Sequence, residues 1–193
     1  MKLVLIRHGR PDEADASRPH DPPLRADGRV QAEAVAARLA LEGITRIVSS
    51  PLMRAMQTAQ PLADLIGLPI DVMDGWAEAD RHLERYRSTE TLRALGKAEW
   101  SRFLADPVGY LGGDPITFKA DVLAALAASF GDRNAHVAVF CHGLPINVVL
   151  SHALGLARIV HFAPGYGSMT RLRTGAAGAI GVSSVNERNH LAP

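Results

Sequence analysis

Near its start the 193-residue chain reads Leu3-Val4-Leu5-Ile6-Arg7-His8-Gly9, an apolar run that ends abruptly in two basic residues and a glycine. Four consecutive apolar residues are typical of a strand that is buried on both faces of a parallel sheet. Because open α/β sheets bind ligands outside the carboxyl ends of their strands, Arg7 and His8 are predicted to lie at a ligand site.

The rest of the chain alternates strand-like apolar runs with helix-like segments, which predicts an α/β fold. We expect a three-layer sandwich with a mostly parallel central sheet, helices on both faces and one antiparallel edge strand. That strand belongs to a predicted hairpin over Ser168 to Arg173 and Ala179 to Val185, joined through Gly175 and Gly178.

Residues 1–193 show no internal linker or repeat and are predicted to form a single domain. Residues 75–113 depart from the alternating pattern, carry many charges and both tryptophans, and are predicted to form a helical, lid-like insertion over the site. A first helix is predicted from a face of Val30, Ala34, Ala37 and Leu41.

The composition excludes several classes of function. The 21 lysines and arginines nearly cancel the 20 aspartates and glutamates, so no nucleic-acid partner is expected. No apolar stretch approaches the roughly 20 residues that span a bilayer, and no signal peptide is recognised, so a cytoplasmic protein without membrane contact is expected. The one cysteine, Cys141, is assigned to the core.

Arg54 lies where a cation is unfavourable. Ser50 and Pro51 are predicted to begin a helix, and Arg54 then falls in or near its first turn, where the helix dipole disfavours positive charge by roughly 0.3 to 1 kcal/mol. An oxyanion bound at the helix start would be attracted by both the dipole and the guanidinium. An arginine that simply extends to solvent is the alternative interpretation.

His142-Gly143 repeats the arrangement of His8-Gly9, because it follows a predicted strand and precedes a predicted helix. Two strand-end histidines together with Arg7 and Arg54 favour a phosphate pocket, with Gly143 presenting a free backbone N–H group. Phosphoryl transfer to a histidine also needs a proton donor for the leaving alcohol, and Glu78 is preferred for it over Glu84 and Asp80.

These motifs resemble those of the histidine phosphatase superfamily, the group that includes cofactor-dependent phosphoglycerate mutases. The resemblance runs nearly end to end. It rests on five segments: Leu5-Ile6-Arg7-His8-Gly9; Leu24 with Gly28, Gln31 and Ala32; Ser49-Ser50-Pro51-Leu52 with Arg54-Ala55 and Gln57-Thr58-Ala59; Phe140-Cys141-His142-Gly143; and Asn186 with His190-Leu191.

The resemblance implies that His8 is the phosphorylated nucleophile, that Arg7, Arg54 and His142 hold the phosphoryl oxygens, and that Glu78 donates the proton. It implies a phosphomonoester hydrolase acting on a small phosphorylated substrate, without a metal or other cofactor. A mutase-type phosphotransferase and a non-catalytic protein that binds a phosphate ligand are the alternatives, while a metallohydrolase is disfavoured because the histidines are scattered. The oligomeric state is left open.

Three positions depart from the family pattern. Arg10 and Pro11 stand where many members carry an acid followed by threonine or serine, so the phosphate pocket is expected to lack polar contacts there. His82 replaces a glycine that commonly follows the acid by four residues. Lid shape and substrate are therefore expected to differ from those of other members.

Overall fold

The central sheet of this computed structural model has six strands, and residues 1–175 and 179–191 are described. The strands are β1 (Lys2–Arg7), β2 (Arg46–Ser49), β3 (Ile70–Val72), β4 (His136–Cys141), β5 (Met169–Thr174) and β6 (Ile180–Glu187). The α-helices are α1 (Ala26–Ala40), α2 (Met53–Ile66), α3 (Thr89–Ala94), α4 (Lys97–Ala105), α5 (Pro107–Tyr110), α6 (Pro115–Ala128) and α7 (Gly143–Leu154). Short 3-10 helices span Asp74–Trp76 and Ala79–His82.

The strand order is β3-β2-β4-β1-β5-β6, and the first four strands of that order are parallel. β5 is antiparallel to β1, and β6 is antiparallel to β5, which confirms the predicted α/β sandwich and its hairpin. The antiparallel strand β5 joins the hairpin to the parallel part, and β6 forms the edge. Gly175 lies in the described part of the hairpin connection, whereas Gly178 lies outside the described residues.

Helices cover the sheet on both faces, as predicted. Alternate residues of β1 point to opposite sides: Val4 and Ile6 pack on one side with residues of α1 and α2, whereas Leu3 and Leu5 pack on the other with residues of α6 and α7. Cys141 is fully buried in the second of these cores, as expected. Because β1 and β4 lie at the centre of the sheet, their carboxyl ends are held in place from both faces.

Two local predictions are wrong. The buried face of α1 is formed by Ala32, Val35, Ala36 and Leu39, whereas the predicted face includes Val30 and Leu41, which are 61% and 84% exposed. Single apolar residues on a surface are common, and here the spacing of exposed apolar residues resembled that of a buried helix face. The second helix begins at Met53 and not at Pro51, because Leu52 keeps an extended backbone and is itself the N-cap residue.

The segment between β3 and α6 holds α3, α4, α5 and both 3-10 helices, in agreement with the predicted helical insertion. Its apolar residues form a separate small core in which Leu92, Phe103, Val108 and Leu111 contact Leu144 of α7. This core fixes the insertion against the carboxyl edge of the sheet. Among the residues that the structure describes, no helix is long and apolar enough to cross a membrane.

Candidate active site

His8 lies at the carboxyl end of β1 and is 2% exposed. Its Nδ1 atom lies 2.8 Å from the carbonyl oxygen of Gly9. A carbonyl oxygen only accepts hydrogen bonds, so Nδ1 carries the proton and Nε2 keeps its lone pair. Burial and the charges of Arg54 and Arg7 hold the pKa of His8 well below its ordinary value. Near pH 7 the imidazole is therefore neutral, in the tautomer that an Nε2 nucleophile requires.

His142 lies beside His8 at the same edge of the sheet. Arg7 pairs with Cys141 in the register of β1 and β4, so the two histidines follow neighbouring strands. Their ring centroids are 5.0 Å apart. His142 is also the N-cap residue of α7, which places it at the positive end of that helix dipole. The predicted convergence of the two histidines is thus present in the structure.

Ser50 determines which nitrogen of His142 carries a proton. Its hydroxyl oxygen accepts a hydrogen bond from the backbone N–H of Leu52 at 3.2 Å and lies 2.7 Å from Nε2 of His142. Ser50 is fully buried, and Nε2 is the one acceptor that its hydroxyl proton meets among the described residues, so the hydroxyl donates to Nε2 and in the neutral ring Nδ1 carries the proton. Burial and the nearby Arg54 lower the pKa of His142 well below its ordinary value, so the neutral form prevails.

Arg7 is held from three sides. Its guanidinium group donates two hydrogen bonds to the carboxylate of Glu90, at 3.0 and 3.2 Å, and one to the carbonyl oxygen of Pro164 at 2.7 Å. It also lies 4.1 Å from the ring centroid of Tyr166. Burial disfavours the charged guanidinium, but Glu90 outweighs that effect and raises the pKa of Arg7 above its usual range. Arg7 is therefore a fixed cation beside His8.

Arg54 is fully buried in the first turn of α2, as predicted. Its Nη2 atom donates to both carboxylate oxygens of Asp80, at 2.9 and 3.2 Å, and Nη1 donates to Asp21 at 3.4 Å. Tyr86 lies under the guanidinium, with 4.4 Å between the Arg54 Cζ atom and the ring centroid. The alternative of an arginine extending to solvent is therefore wrong, and the unfavourable position in the helix is offset by two carboxylates.

Unpartnered polar atoms gather around His8. Four buried side-chain nitrogen or oxygen atoms in the described residues have no hydrogen-bond partner, and three of them are Nε of Arg7, Nε of Arg54 and Nδ1 of His142. A buried donor without a partner costs about 1 to 3 kcal/mol, so such groups are rare in folded proteins. Three N–H groups of this kind beside one imidazole suit an oxyanion with several oxygens, such as a phosphoryl group.

Glu78 provides a carboxyl group in the same cavity. Its Oε1 accepts from the backbone N–H of Ala79 and its Oε2 from that of Leu144, both at 3.1 Å. Burial and the charge of Asp80 raise the pKa of Glu78 to about 7. The carboxyl group is thus partly protonated near neutral pH, which is what a general acid requires. Gly143, the first residue of α7, lines the cavity next to it.

The two rivals of Glu78 occupy different places. Glu84 is exposed and is not among the described residues that line the cavity. Asp80 lines the cavity, but its carboxylate is bound to Arg54. Burial raises the pKa of Asp80, and the guanidinium of Arg54 opposes that rise. Of the three acids, Glu78 alone combines a place in the cavity with a carboxyl group that no arginine binds among the described residues.

Close backbone packing fixes the loop after β1. A Cβ atom at Gly9 would overlap the carbonyl oxygen of Gly28 in α1, and a Cβ atom at Gly28 would overlap the backbone of Arg10. The Thr58 hydroxyl group accepts from the backbone N–H of Gly9 at 2.9 Å and donates to the carbonyl oxygen of Arg54 at 2.6 Å. This one side chain joins the loop of His8 to the helix of Arg54.

Arg10 and Pro11 contribute no polar side chain to the cavity among its described lining residues, as expected. Arg10 is directed toward α1, where its guanidinium lies 3.3 Å from Asp27, and Pro11 pairs with Leu24 in an isolated β-bridge. Asp21 instead supplies a carboxylate to this side of the site. It accepts two hydrogen bonds, at 3.0 and 2.9 Å, from the first backbone N–H of α2.

The residues at the end of the chain hold the loop that carries Tyr166. Asn186 adopts a left-handed backbone conformation, with φ of 58°, and its side-chain oxygen accepts from the backbone N–H of Gly165 at 2.8 Å. His190 contacts the carbonyl oxygen of Gly167 at 2.9 Å. Both residues therefore affect the site indirectly, by holding the loop whose Tyr166 contacts Arg7.

A cavity of about 660 Å³ opens above His8. Of the predicted site residues, Arg7, His8, Arg54, Glu78 and Gly143 line it. His142, the neighbour of His8, is fully buried and is not among the described residues that line the cavity. The structure thus brings the predicted site residues together in one place.

Several residues of the site were not predicted as parts of it: Glu90, Asp21, Tyr86 and Tyr166. Glu90 is separated from Arg7 by 83 positions in the sequence, and Asp21 from Arg54 by 33. Neither acid stands in a local pattern that distinguishes it from a surface residue. The one available signal was the pair of arginines, Arg7 and Arg54, predicted for the pocket, because a buried guanidinium requires a carboxylate partner. Within residues 1–175 and 179–191, no group of three or more His, Cys, Asp or Glu residues is arranged to hold a metal ion.

The chain is similar to several known proteins. A protein of Proteus mirabilis named "Probable phosphoglycerate mutase GpmB" is 30% identical over 164 residues, which cover 81% of this chain and 76% of that protein. The structure of phosphoserine phosphatase from Entamoeba histolytica in complex with 3-phosphoglyceric acid superposes with a TM-score of 0.76 at 24% identity, covering 99% of both chains.

The structure of mycobacterial glucosyl-3-phosphoglycerate phosphatase superposes with a TM-score of 0.74 at 24% identity, covering 97% of this chain and 99% of that one. These two structures share the fold. The family profile described as the histidine phosphatase superfamily (branch 1) matches residues 3–187, which run from the first strand of the sheet to the last. A match of that extent confirms the resemblance of the motifs: the chain belongs to the histidine phosphatase superfamily.

Proposed function

We propose that the chain is a phosphomonoester hydrolase that acts through a phosphohistidine formed on His8. One observation carries the proposal: a buried, neutral imidazole with a free Nε2 lone pair shares a cavity with a carboxyl group whose pKa is about 7. A nucleophile and an acid of matched protonation state are the two groups that transfer to histidine requires.

In the first step the Nε2 lone pair of His8 attacks phosphorus and the bond between phosphorus and the ester oxygen breaks. Glu78 gives its proton to that oxygen, so a neutral alcohol leaves. The positive charge that develops on the imidazole is stabilised through Nδ1–H, which donates to the Gly9 carbonyl oxygen 2.8 Å away. The free N–H groups of Arg7, Arg54 and His142 balance the charge on the phosphoryl oxygens.

In the second step a water molecule attacks the phosphohistidine, and the ionised Glu78 takes a proton from it. The bond between phosphorus and Nε2 breaks, inorganic phosphate leaves, and His8 returns to its neutral form with the proton still on Nδ1. These steps use only side chains and a water molecule, so we propose that neither a metal ion nor another cofactor takes part. We also propose that the substrate is a small phosphorylated molecule.

A mutase-type phosphotransferase is the second candidate, because the Proteus mirabilis relative bears that name. The two functions share the first step and differ in whether water or a second hydroxyl group accepts the phosphoryl group. Both neighbouring structures are named phosphatases and match nearly the whole chain, which supports hydrolysis. We therefore propose that water, and not a second hydroxyl group, is the main acceptor of the phosphoryl group.

The test is to incubate the protein with a radiolabelled aryl phosphate in the presence of a chelator, quench the reaction and search for acid-labile phosphate. We expect turnover and a labelled peptide that contains His8, with both lost in His8→Ala. A protein that shows neither turnover nor adduct would refute the enzyme proposal. Loss of a strong activity on chelation would indicate a metallohydrolase. Transfer to 3-phosphoglycerate faster than release of inorganic phosphate, after priming with a bisphosphate, would indicate a mutase.

A further inference from the structure

The cavity above His8 extends well beyond the space that a phosphoryl group needs. Its volume of about 660 Å³ lies within the range of roughly 300 to 1,000 Å³ that is typical of pockets for whole small molecules. Arg7 and Arg54 are held for the phosphoryl group by Glu90 and Asp80, and Arg87, Arg93 and Arg188 also line the cavity. The residues beyond the phosphoryl site therefore decide the specificity for the rest of the substrate.

One wall of the cavity is apolar and comes from two parts of the chain. Trp100 and Leu104 belong to α4, Val160 and Phe162 belong to the connection between α7 and β5, and all four line the cavity. We call these four residues the apolar wall. Each of them keeps an exposed fraction, and Leu104 is 37% exposed, so the wall is not simply the inside of the insertion core.

Two neighbouring side chains, which also line the cavity, hold Trp100 in place. Its ring stacks on Phe103, with 5.3 Å between the centroids and 27° between the planes, and Phe103 is 1% exposed. The guanidinium of Arg93 lies 4.6 Å from the Trp100 ring centroid, so this cation also covers an aromatic face. The indole is thereby fixed in position before any ligand arrives.

The segment that carries Phe162 is fixed by Asn147 of α7. Its side-chain oxygen accepts from the backbone N–H groups of His161 and Phe162, both at 3.0 Å, and its nitrogen donates to the carbonyl oxygen of Phe162 at 3.0 Å. Asn147 is itself 2% exposed. A preformed apolar surface held in both of its parts is the arrangement that binds an apolar ligand group with little loss of entropy.

We propose that the apolar wall binds the leaving group, and that the preferred substrates are phosphomonoesters of apolar alcohols, either aromatic or with an alkyl chain of several carbons. This inference rests on the proposed function, since it assigns the cavity to the alcohol half of a phosphomonoester.

The first experiment measures kcat/KM for ethyl, butyl, hexyl and octyl phosphate, with glycerol 3-phosphate and 3-phosphoglycerate for comparison. Full burial of one methylene group is worth a factor of about four, and the wall is partly exposed, so we expect about twofold to fourfold per methylene. Hexyl phosphate should then exceed ethyl phosphate by at least about tenfold. Equal values along the series, or a preference for 3-phosphoglycerate, would overturn the inference.

The variants Leu104→Asn and Val160→Asn should flatten this dependence on chain length, lowering kcat/KM for hexyl and octyl phosphate more than for ethyl phosphate. Leu95→Asn is the matched control, because Leu95 lies in the same insertion, is 53% exposed and is not among the described residues that line the cavity. A control that flattens the dependence as much as the wall variants do would contradict the assignment of the wall.

Binding of the non-hydrolysable alkyl phosphonates, measured by calorimetry, separates this inference from the proposed function. Affinity that rises with chain length and falls in Leu104→Asn supports the apolar wall even if the protein turns over no ester. If esters are turned over but the affinity for the phosphonates does not depend on chain length, the inference about the apolar wall is refuted and the hydrolase proposal is not.

Discussion

Replacing Glu78 by glutamine tests the acid that the proposed mechanism needs. Glutamine keeps the size of the side chain but has no proton to give to a leaving alcohol. With a pKa of about 7, Glu78 is about 90% protonated at pH 6, about half at pH 7 and about 10% at pH 8. Only the protonated form is active in the first step. The kcat/KM for an alkyl phosphate should therefore fall about tenfold between pH 6 and pH 8 in the native protein.

The size of the loss depends on the leaving group. General acids contribute about 10²- to 10⁴-fold, so Glu78→Gln should lower kcat/KM for hexyl phosphate at pH 6 by at least about 100-fold. For p-nitrophenyl phosphate the loss should stay below about tenfold, because nitrophenolate leaves without a proton. The assay is release of inorganic phosphate in initial-rate measurements from pH 5.5 to 8.5.

Two comparisons make this result decisive. Phosphate groups ionise for the second time near pH 6, so the substrate contributes a pH dependence of its own, which Glu78→Gln retains. The part of the pH dependence of kcat/KM that disappears in the variant is therefore the part due to Glu78. Glu84→Gln, an exposed position of the same insertion, should match the native protein. Equal losses for the alkyl and nitrophenyl esters, or a loss in Glu84→Gln instead, would refute the assignment.

Three further substitutions test other contacts of the site. In Ser50→Ala the preference of His142 for the Nδ1–H tautomer should be lost, so ¹⁵N NMR spectra should show the proton shared between Nδ1 and Nε2, and kcat should fall about tenfold. An unchanged spectrum would contradict the role of the hydroxyl group. Glu90→Gln removes the anion bound to Arg7 and should tighten inorganic phosphate binding about threefold to tenfold in calorimetry, whereas weaker binding would show that Glu90 holds Arg7 in place. Gly28→Ala would push a methyl group into the loop that follows β1 and should destabilise the protein by about 1 to 3 kcal/mol, measured by thermal unfolding; a gain in stability, as expected for alanine in an open helix, would contradict the close packing.

The positions of His8, His142 and Arg54 were predictable because each breaks a local rule. Two histidines end apolar strands, and one arginine stands in the first turn of a helix. A parallel sheet brings strand ends to one edge whatever the rest of the chain does, so their convergence followed from the order of the elements. The resemblance to a family distinguished Glu78 from Glu84, and of these two glutamates Glu78 is the one among the described residues that line the cavity.

The partners of the arginines were not predictable in the same way. Glu90 meets Arg7 only because a short helix of the insertion is folded back over the sheet edge. The buried face of α1 was wrongly predicted for a related reason, since its apolar residues occur on both faces and the sheet selects one of them. Sequence patterns specify an element and its end, whereas contacts between distant elements depend on tertiary packing.

The aromatic rings beneath the two guanidinium groups have a kinetic consequence. Arg7 rests on Tyr166 and Arg54 on Tyr86, and each is also bound by a carboxylate. A free arginine side chain loses about 2 kcal/mol of rotational entropy when it is immobilised. Here that entropy is lost when the chain folds. Both cations are therefore already in place when a phosphate ester reaches the site, and its binding does not wait for either side chain to change conformation.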